Sequence, residues 1–221
     1  MKTTVHTSRH HDSALKHANG QALYIDDMPE PAGTLHGALV LSRVACGRLL
    51  KIDSAAASKM PGVVAILGPA DVPGKNDVAA IGQNEPLFAV DRIEFAGQAL
   101  AMVVAETLDA ARAAAGKVVV EIEAEEPVLD IATALARKSY VQAPSTVLRG
   151  DPEAAMAGAP HTLSAEFSVG GQEHFYLEGQ IAFALPGEDG EITVHSSTQH
   201  PTEVQHICAR LLGCDFNRVT A

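Results

Sequence analysis

Twice in the first 127 residues a short apolar, strand-like run is followed by a helical run and then by a second strand-like run. Residues 36–41 (HGALVL) and 48–52 (RLLKI) read as strands. Asp53 is placed to cap a short alanine-rich helix over 54–59, which Pro61-Gly62 stops, and 63–67 reads as the next strand. Further along, 99–105 reads as a strand, Thr107 can cap a helix over 108–115 that Gly116 ends, and 118–122 is another strand before an acidic turn. Helices that alternate with strands bury their apolar faces on a sheet. The order therefore implies a mixed α/β (α+β) domain over residues 17–127.

The stretch that follows has a different character. Residues 132–137 suit a short helical turn, after which Pro144, Ser145, Gly150, Pro152, Gly158 and Pro160 break up the chain. Such punctuation reads as an extended connection, residues 128–160, leading into a second domain over 161–221. There Leu163, Ala165, Phe167 and Val169 alternate as in a strand, and 181–185 and 192–196 read as two more. A helix then opens at Pro201, carries Glu203 in its first turn and exits at Gly213. Val204, Ile207, Cys208, Leu211 and Leu212 form its apolar stripe, and 218–221 look like the opening of another strand.

Composition narrows the partners. Lys plus Arg number 16 against 27 Asp plus Glu, a net charge of −11, and the basic residues are scattered. Phosphate backbones and anionic membranes repel such a surface, so neither nucleic acid nor membrane is an expected partner. The most apolar run, 99–105, is too short to span a bilayer, and the N-terminal residues 1–11 are polar, without the apolar centre of a signal peptide. Cys46, Cys208 and Cys214 make no paired framework, which fits a reducing cytoplasm.

The densest polar chemistry lies in Gly170-Gly171-Gln172-Glu173-His174-Phe175-Tyr176-Leu177-Glu178-Gly179-Gln180. The two glycines let the backbone turn sharply or approach something closely, and Gln172 offers a neutral amide that donates and accepts. From the residues alone this is either a strand end with a polar rim or a surface that meets a ligand. Other constellations carry less. His195, His200, His206, Cys208 and Cys214 lack the close-paired spacing of a structural zinc site, and Cys208 falls on an apolar stripe. No nucleophile elbow and no phosphate loop is present. Glu121, Glu123, Glu125 and Glu126 read as a solvated strand edge and turn, and Arg149-Gly150-Asp151 as a turn.

The Gly170–Gln180 string closely resembles the GGQEHFYLE segment of the xanthine dehydrogenase and aldehyde oxidase family of molybdenum hydroxylases. The likeness extends from about His11 onward. It includes Gly20-Gln21-Ala22-Leu23-Tyr24-Ile25-Asp26-Asp27, Glu94-Phe95-Ala96-Gly97-Gln98 with the strand and helix after it, Arg149-Gly150-Asp151, and Ser197-Thr198-Gln199-His200-Pro201. The resemblance implies an N-terminal extension (1–16) and a hammerhead-type domain (17–127). A connecting segment (128–160) and the incomplete start of a molybdopterin-binding domain (161–221) follow. The separate-subunit bacterial xanthine dehydrogenases are the most similar branch.

In that family a molybdenum ion held by a pyranopterin hydroxylates a purine or aldehyde carbon with oxygen from water. Electrons leave through iron–sulfur clusters to FAD, here implied to sit on a partner subunit. The family's glutamine approaches an oxygen ligand of the metal and corresponds to Gln172, with Gly171 and Phe175 as cofactor-side neighbours. An amide suits that role because it stabilises oxygen charge without titrating near neutrality. The family's glycine-rich cofactor segment, its substrate-orienting residues and its catalytic glutamate are expected beyond Ala221. The chain is therefore expected to be an N-terminal piece that alone holds no molybdenum, is inactive and self-associates. The alternatives are an aldehyde, nicotinate or carbon monoxide substrate, or a non-catalytic assembly module.

Overall fold

The structure, a computed structural model, describes residues 5–82, 84–176 and 178–221. Residues 1–4 of the expected N-terminal extension, and Leu177 of the polar segment, lie outside the described residues. Two compact units emerge, one drawn from Met1–Glu125 with Glu178–Ala221 and the other from Glu126–Leu177.

In the first unit a short helix α1 (Ala14–Asn19) precedes β1 (His36–Leu41), β2 (Gly47–Asp53) and β3 (Val63–Leu67). The two-residue β4 (Arg92–Ile93), β5 (Ala99–Ala105), α2 (Leu108–Ala115) and β6 (Val119–Ala124) follow. The second unit holds α3 (Ile131–Arg137) and α4 (Pro152–Ala157). The chain returns to the first unit with β7 (Ala182–Pro186), β8 (Ile192–Ser196), α5 (Pro201–Leu212) and β9 (Val219–Thr220).

Among the described residues three three-stranded sheets form, in the orders β1-β5-β3, β4-β2-β6 and β7-β8-β9. The first two are antiparallel, and in the third β9 runs parallel to β8. β5 is central because it is apolar at every position (ALAMVVA), as a strand between two others and beneath a helix must be. Its Leu100 and Val103 are fully buried and stabilise the fold by roughly 1.5–3 kcal/mol each. α2 begins where the Thr107 side chain accepts from Ala110 N, and it lays buried Ala111 and Ala114 toward the first sheet. Small side chains there permit close approach of helix and sheet.

The expected helix over 54–59 is only a 3-10 turn, Ala57–Lys59. Asp53 accepts from Ala55 N at 3.0 Å, Met60 N closes a tighter turn on Ala57 O at 3.1 Å, and Met60, held extended ahead of Pro61, ends it. The expected strand over 161–169 is absent: those residues are irregular and exposed, with Phe167 and Val169 both 84% accessible. Alternation needs a partner strand and a core to face, and neither is present among the described residues of their unit. The expected extended connection contains two helices. Asp130 caps α3 through Thr133 N, and Asp151 caps α4 through Ala154 N with Pro152 at the first helical position.

Ion pairs decorate the β4-β2-β6 sheet. Arg48 donates to Glu123 at 2.7 Å, and Arg92 grips both oxygens of Glu125 at 3.1 and 2.6 Å. Glu123 and Glu125, two of the four glutamates there, are thus neutralised by arginines as well as solvated. The side-chain hydrogen bond from Arg92 holds the Glu125 carboxyl below its ordinary range. Backbone donation from Ala55 does the same for Asp53, and from Ala79 for Asp77. Carboxyls with depressed folded values stabilise the fold above their unfolded range, and that stabilisation is lost as protons return. The thermal midpoint is expected to fall between about pH 5 and pH 3, measured by circular dichroism at constant ionic strength.

α5 ends at Gly213, whose left-handed backbone (φ 68°) accommodates the exit. The residues just before its exit receive the segment around Gly74: Gly74 N donates to Leu211 O at 2.8 Å and Lys75 N to Arg210 O at 3.0 Å. A Cβ on Gly74 would collide with the carbonyl of Arg210 and the backbone of Gly213. Gly74→Ala is expected to destabilise the fold by about 1–3 kcal/mol, read as a lowered urea midpoint.

Candidate functional site

The polar segment singled out in the sequence divides between the two units. Residues 170–176 end the second unit as irregular, exposed backbone. A Cβ on Gly170 or Gly171 would meet nothing within 4 Å, so the backbone here is open to approach from outside the chain. Gln172 is exposed beside them. Phe175 is 93% accessible with a left-handed φ of 53°, and its N–H donates to Glu173 Oε1 at 3.4 Å. A non-glycine residue in that conformation carries roughly 1–2 kcal/mol of strain. Gly171, Gln172 and Phe175 therefore lie on one short exposed stretch.

Glu178 and Gln180 begin the returning part of the first unit. Glu178 Oε1 accepts from the backbone N–H of Ile25 at 3.2 Å, across 153 positions of sequence. Glu178 and Ile25 line a cavity of about 420 Å³ together with Tyr24, His195 and Thr198. Sequence reasoning missed this anchor, because no local signal pairs positions so distant. Arg210 carries no local signal either: its Nη1 donates to Ala79 O at 2.9 Å and lies 3.8 Å from Asp77 Oδ2.

The histidines of the C-terminal region have local roles. His200 Nδ1 accepts from Glu203 N at the start of α5, His206 stacks on Phe216 at 4.2 Å, and His195 stacks on Phe183 at 6.3 Å. Cys208 and Cys214 pack against the small core around Val194, Ala209 and Val219, and burial pushes the Cys208 thiol up. Among the described residues no three His, Cys, Asp or Glu side chains converge as metal ligands. No helix among them is long and apolar enough to cross a membrane.

Residues 19–126 match the family described as aldehyde oxidase and xanthine dehydrogenase, a/b hammerhead domain. Residues 136–221 match the molybdopterin cofactor-binding domain. The chain is 40% identical over 214 residues to the xanthine dehydrogenase of Emericella nidulans, covering 96% of this chain and 16% of that protein. It is likewise 40% identical over 212 residues to aldehyde oxidase 2 of Cavia porcellus, covering 95% of this chain and 16% of that one. The chain thus spans about a sixth of the length of the curated relatives it matches.

Among solved structures, the aldehyde oxidoreductase of Desulfovibrio gigas superposes with a TM-score of 0.81 at 28% identity, over 94% of this chain and 25% of that one. The quinoline 2-oxidoreductase of Pseudomonas putida 86 gives 0.78 at 25%, over 99% of this chain and 30% of that one. A hammerhead domain leading into a molybdopterin cofactor-binding domain defines the class of the molybdenum hydroxylases. Within that class, the chain belongs to the xanthine dehydrogenase and aldehyde oxidase family.

The exposure of residues 161–176 has a direct consequence. Phe167, Phe175 and Tyr176 sit accessible in irregular backbone, whereas Phe88 is buried. Brief chymotrypsin treatment is expected to nick after Phe167, Phe175 or Tyr176 first, identified by mass spectrometry of the early fragments. First cleavage at Phe88 would contradict the exposed state of this stretch.

Proposed function

We propose that this chain is part of the molybdenum subunit of a xanthine dehydrogenase. The reaction is hydroxylation of a purine, hypoxanthine or xanthine, toward urate with oxygen taken from water. Each hydroxylation replaces a C–H hydrogen by the oxygen of water and releases two electrons and two protons. The electrons pass to iron–sulfur clusters and FAD on a partner subunit, and the whole operates in the cytoplasm. The first domain, residues 17–127, is the hammerhead, and residues 161–221 open the cofactor-binding domain after the connection 128–160.

The observation that carries this reading is the open glycine pair beside an exposed neutral amide at Gln172. These residues fit a large cofactor that must come close to backbone. Gly170 and Gly171 leave space where side chains would stand, and Gln172 is a donor that stays neutral across the working pH. A molybdenum–pyranopterin, when bound, supplies the two-electron redox chemistry. The part of this chain is to hold the Gln172 N–H toward oxygen where negative charge gathers, at no cost in proton uptake. Gly171 keeps the approach unobstructed, and Phe175 offers an apolar face beside it.

The likeness to named xanthine dehydrogenases supports the purine substrate. Equal identity to an aldehyde oxidase supports an aldehyde as the second reading. In the complete, metal-loaded enzyme, Gln172→Ala is expected to leave folding and molybdenum content unchanged and to lower turnover by about 3 kcal/mol, roughly 10²-fold. Steady-state rates with xanthine and with an aldehyde, normalised to molybdenum, check both points. Unchanged turnover in the loaded variant would reduce Gln172 to a rim residue, and a preference for the aldehyde would replace the purine.

A further inference from the structure

The first unit contains a second open feature, unrelated to Gln172. A trough of about 670 Å³ runs beside β1, between residues 38–44 on one side and α2 with β6 on the other. Val40, Val118, Val120 and Ile122 supply apolar lining, and the ionisable side chains among its walls are Arg43 and Arg112. Among the described residues neither guanidinium has a carboxylate partner, although the chain as a whole carries a net charge of −11. Two unneutralised cations beside one apolar groove make a local field opposite in sign to the rest of the chain.

β1 is an edge strand of its sheet, bonded to β5 alone. Exposed edges are normally defended by charge, proline or shortness. β6, an edge of the neighbouring sheet, carries exposed Glu121 and Glu123. β1 is six residues long and holds no Lys, Asp, Glu or Pro, and its Leu39 and Leu41 are 46% and 47% accessible. An undefended edge beside an apolar, cationic trough has the features of a strand-addition site. There backbone pairing gives affinity and alternate side chains give specificity.

We propose that this trough docks an extended segment of a partner polypeptide in which apolar and acidic residues alternate, added beside β1 as a fourth strand. The apolar side chains enter between β1 and β6, and the carboxylates meet Arg43 and Arg112. The proposal is independent of the substrate. Its test uses the full chain and a labelled valine–glutamate octapeptide, titrated by fluorescence anisotropy at low salt. Controls are a valine–lysine octapeptide and two forms of the acidic peptide, each N-methylated on one alternate set of amides.

The acidic peptide is expected to bind about ten-fold or more tighter than the lysine peptide, against the overall charge of the chain. One of the two N-methylated forms should lose binding, because only one set of amides faces β1. Arg43→Glu with Arg112→Glu should reverse the preference, with the far-ultraviolet spectrum and melting temperature unchanged. Equal binding of both peptides, no binding, or indifference to N-methylation would overturn the proposal. So would self-association that the double variant abolishes without any peptide effect, which would make the trough a contact between copies.

Discussion

The buried strand β5 is the interaction on which the rest of the first unit depends. It pairs with β1 on one side and β3 on the other, and Ala105 sits at the register point shared by His36 and Val63. Its inward residues Leu100 and Val103 meet Ile93, Ala57, Ala89 and Ala114, which come from four different parts of the chain. Partly buried Leu49, Ile52, Val120 and Ile122 bring the second sheet onto the same core. Long-range pairing of this kind closes only when the whole segment 36–124 is present. Loss of the central strand would therefore unpair two edges at once.

A second tie is made of backbone more than side chain. The segment from Gly74 to Ala79 docks on the C-terminal half of α5 through two main-chain hydrogen bonds and the Arg210 guanidinium. Asn76 then clamps Phe88 at both its N–H and its carbonyl, at 3.0 and 2.8 Å, so the loop that begins at α5 returns to the β5 core. Because Gly74 touches the backbone of Gly213, the arrangement tolerates no side chain there. This explains how a short α/β piece, residues 178–221, is held by the hammerhead part: it shares hydrogen bonds where its own core, around Val194, Ala209 and Val219, is small.

Much of this was legible in the sequence where local rules decide. Residues 36–41, 63–67, 99–105, 108–115 and 201–212 became elements with those bounds, because apolar runs coincide there with a cap, a Pro or a Gly. The 54–59 helix tightened into a 3-10 turn because Met60 must be extended ahead of Pro61, and the 161–169 strand failed because its alternation has no surface to face. α4 is readable in Asp151-Pro152-Glu153, a cap, an N1 proline and a first-turn acid, but the surrounding prolines and glycines read as a linker. The contacts of Glu178 with Ile25 and of Arg210 with Ala79 span 153 and 131 positions, beyond any local pattern. Gln172 was visible as chemistry and by likeness to a family, which is a different warrant from geometry.

The stretch 161–176 inverts the usual economy of a folded chain. Leu163, Phe167, Val169 and Phe175 are all more than 80% accessible, so their apolar area contributes nothing to the stability of the chain that carries them. Ordering a backbone residue costs about 1–2 kcal/mol, and burying a side chain of this size returns roughly 1.5–3 kcal/mol. Whatever fixes this stretch must therefore cover those side chains from outside it. Gln172 lies between Val169 and Phe175, so the same covering would desolvate its amide. A donor withdrawn from water interacts more strongly with an oxygen that gathers charge than one left at the surface. The open, glycine-flanked state of the amide and its suitability as a pre-organised donor are thus two consequences of one feature, a polar group set among apolar residues that have yet to be buried.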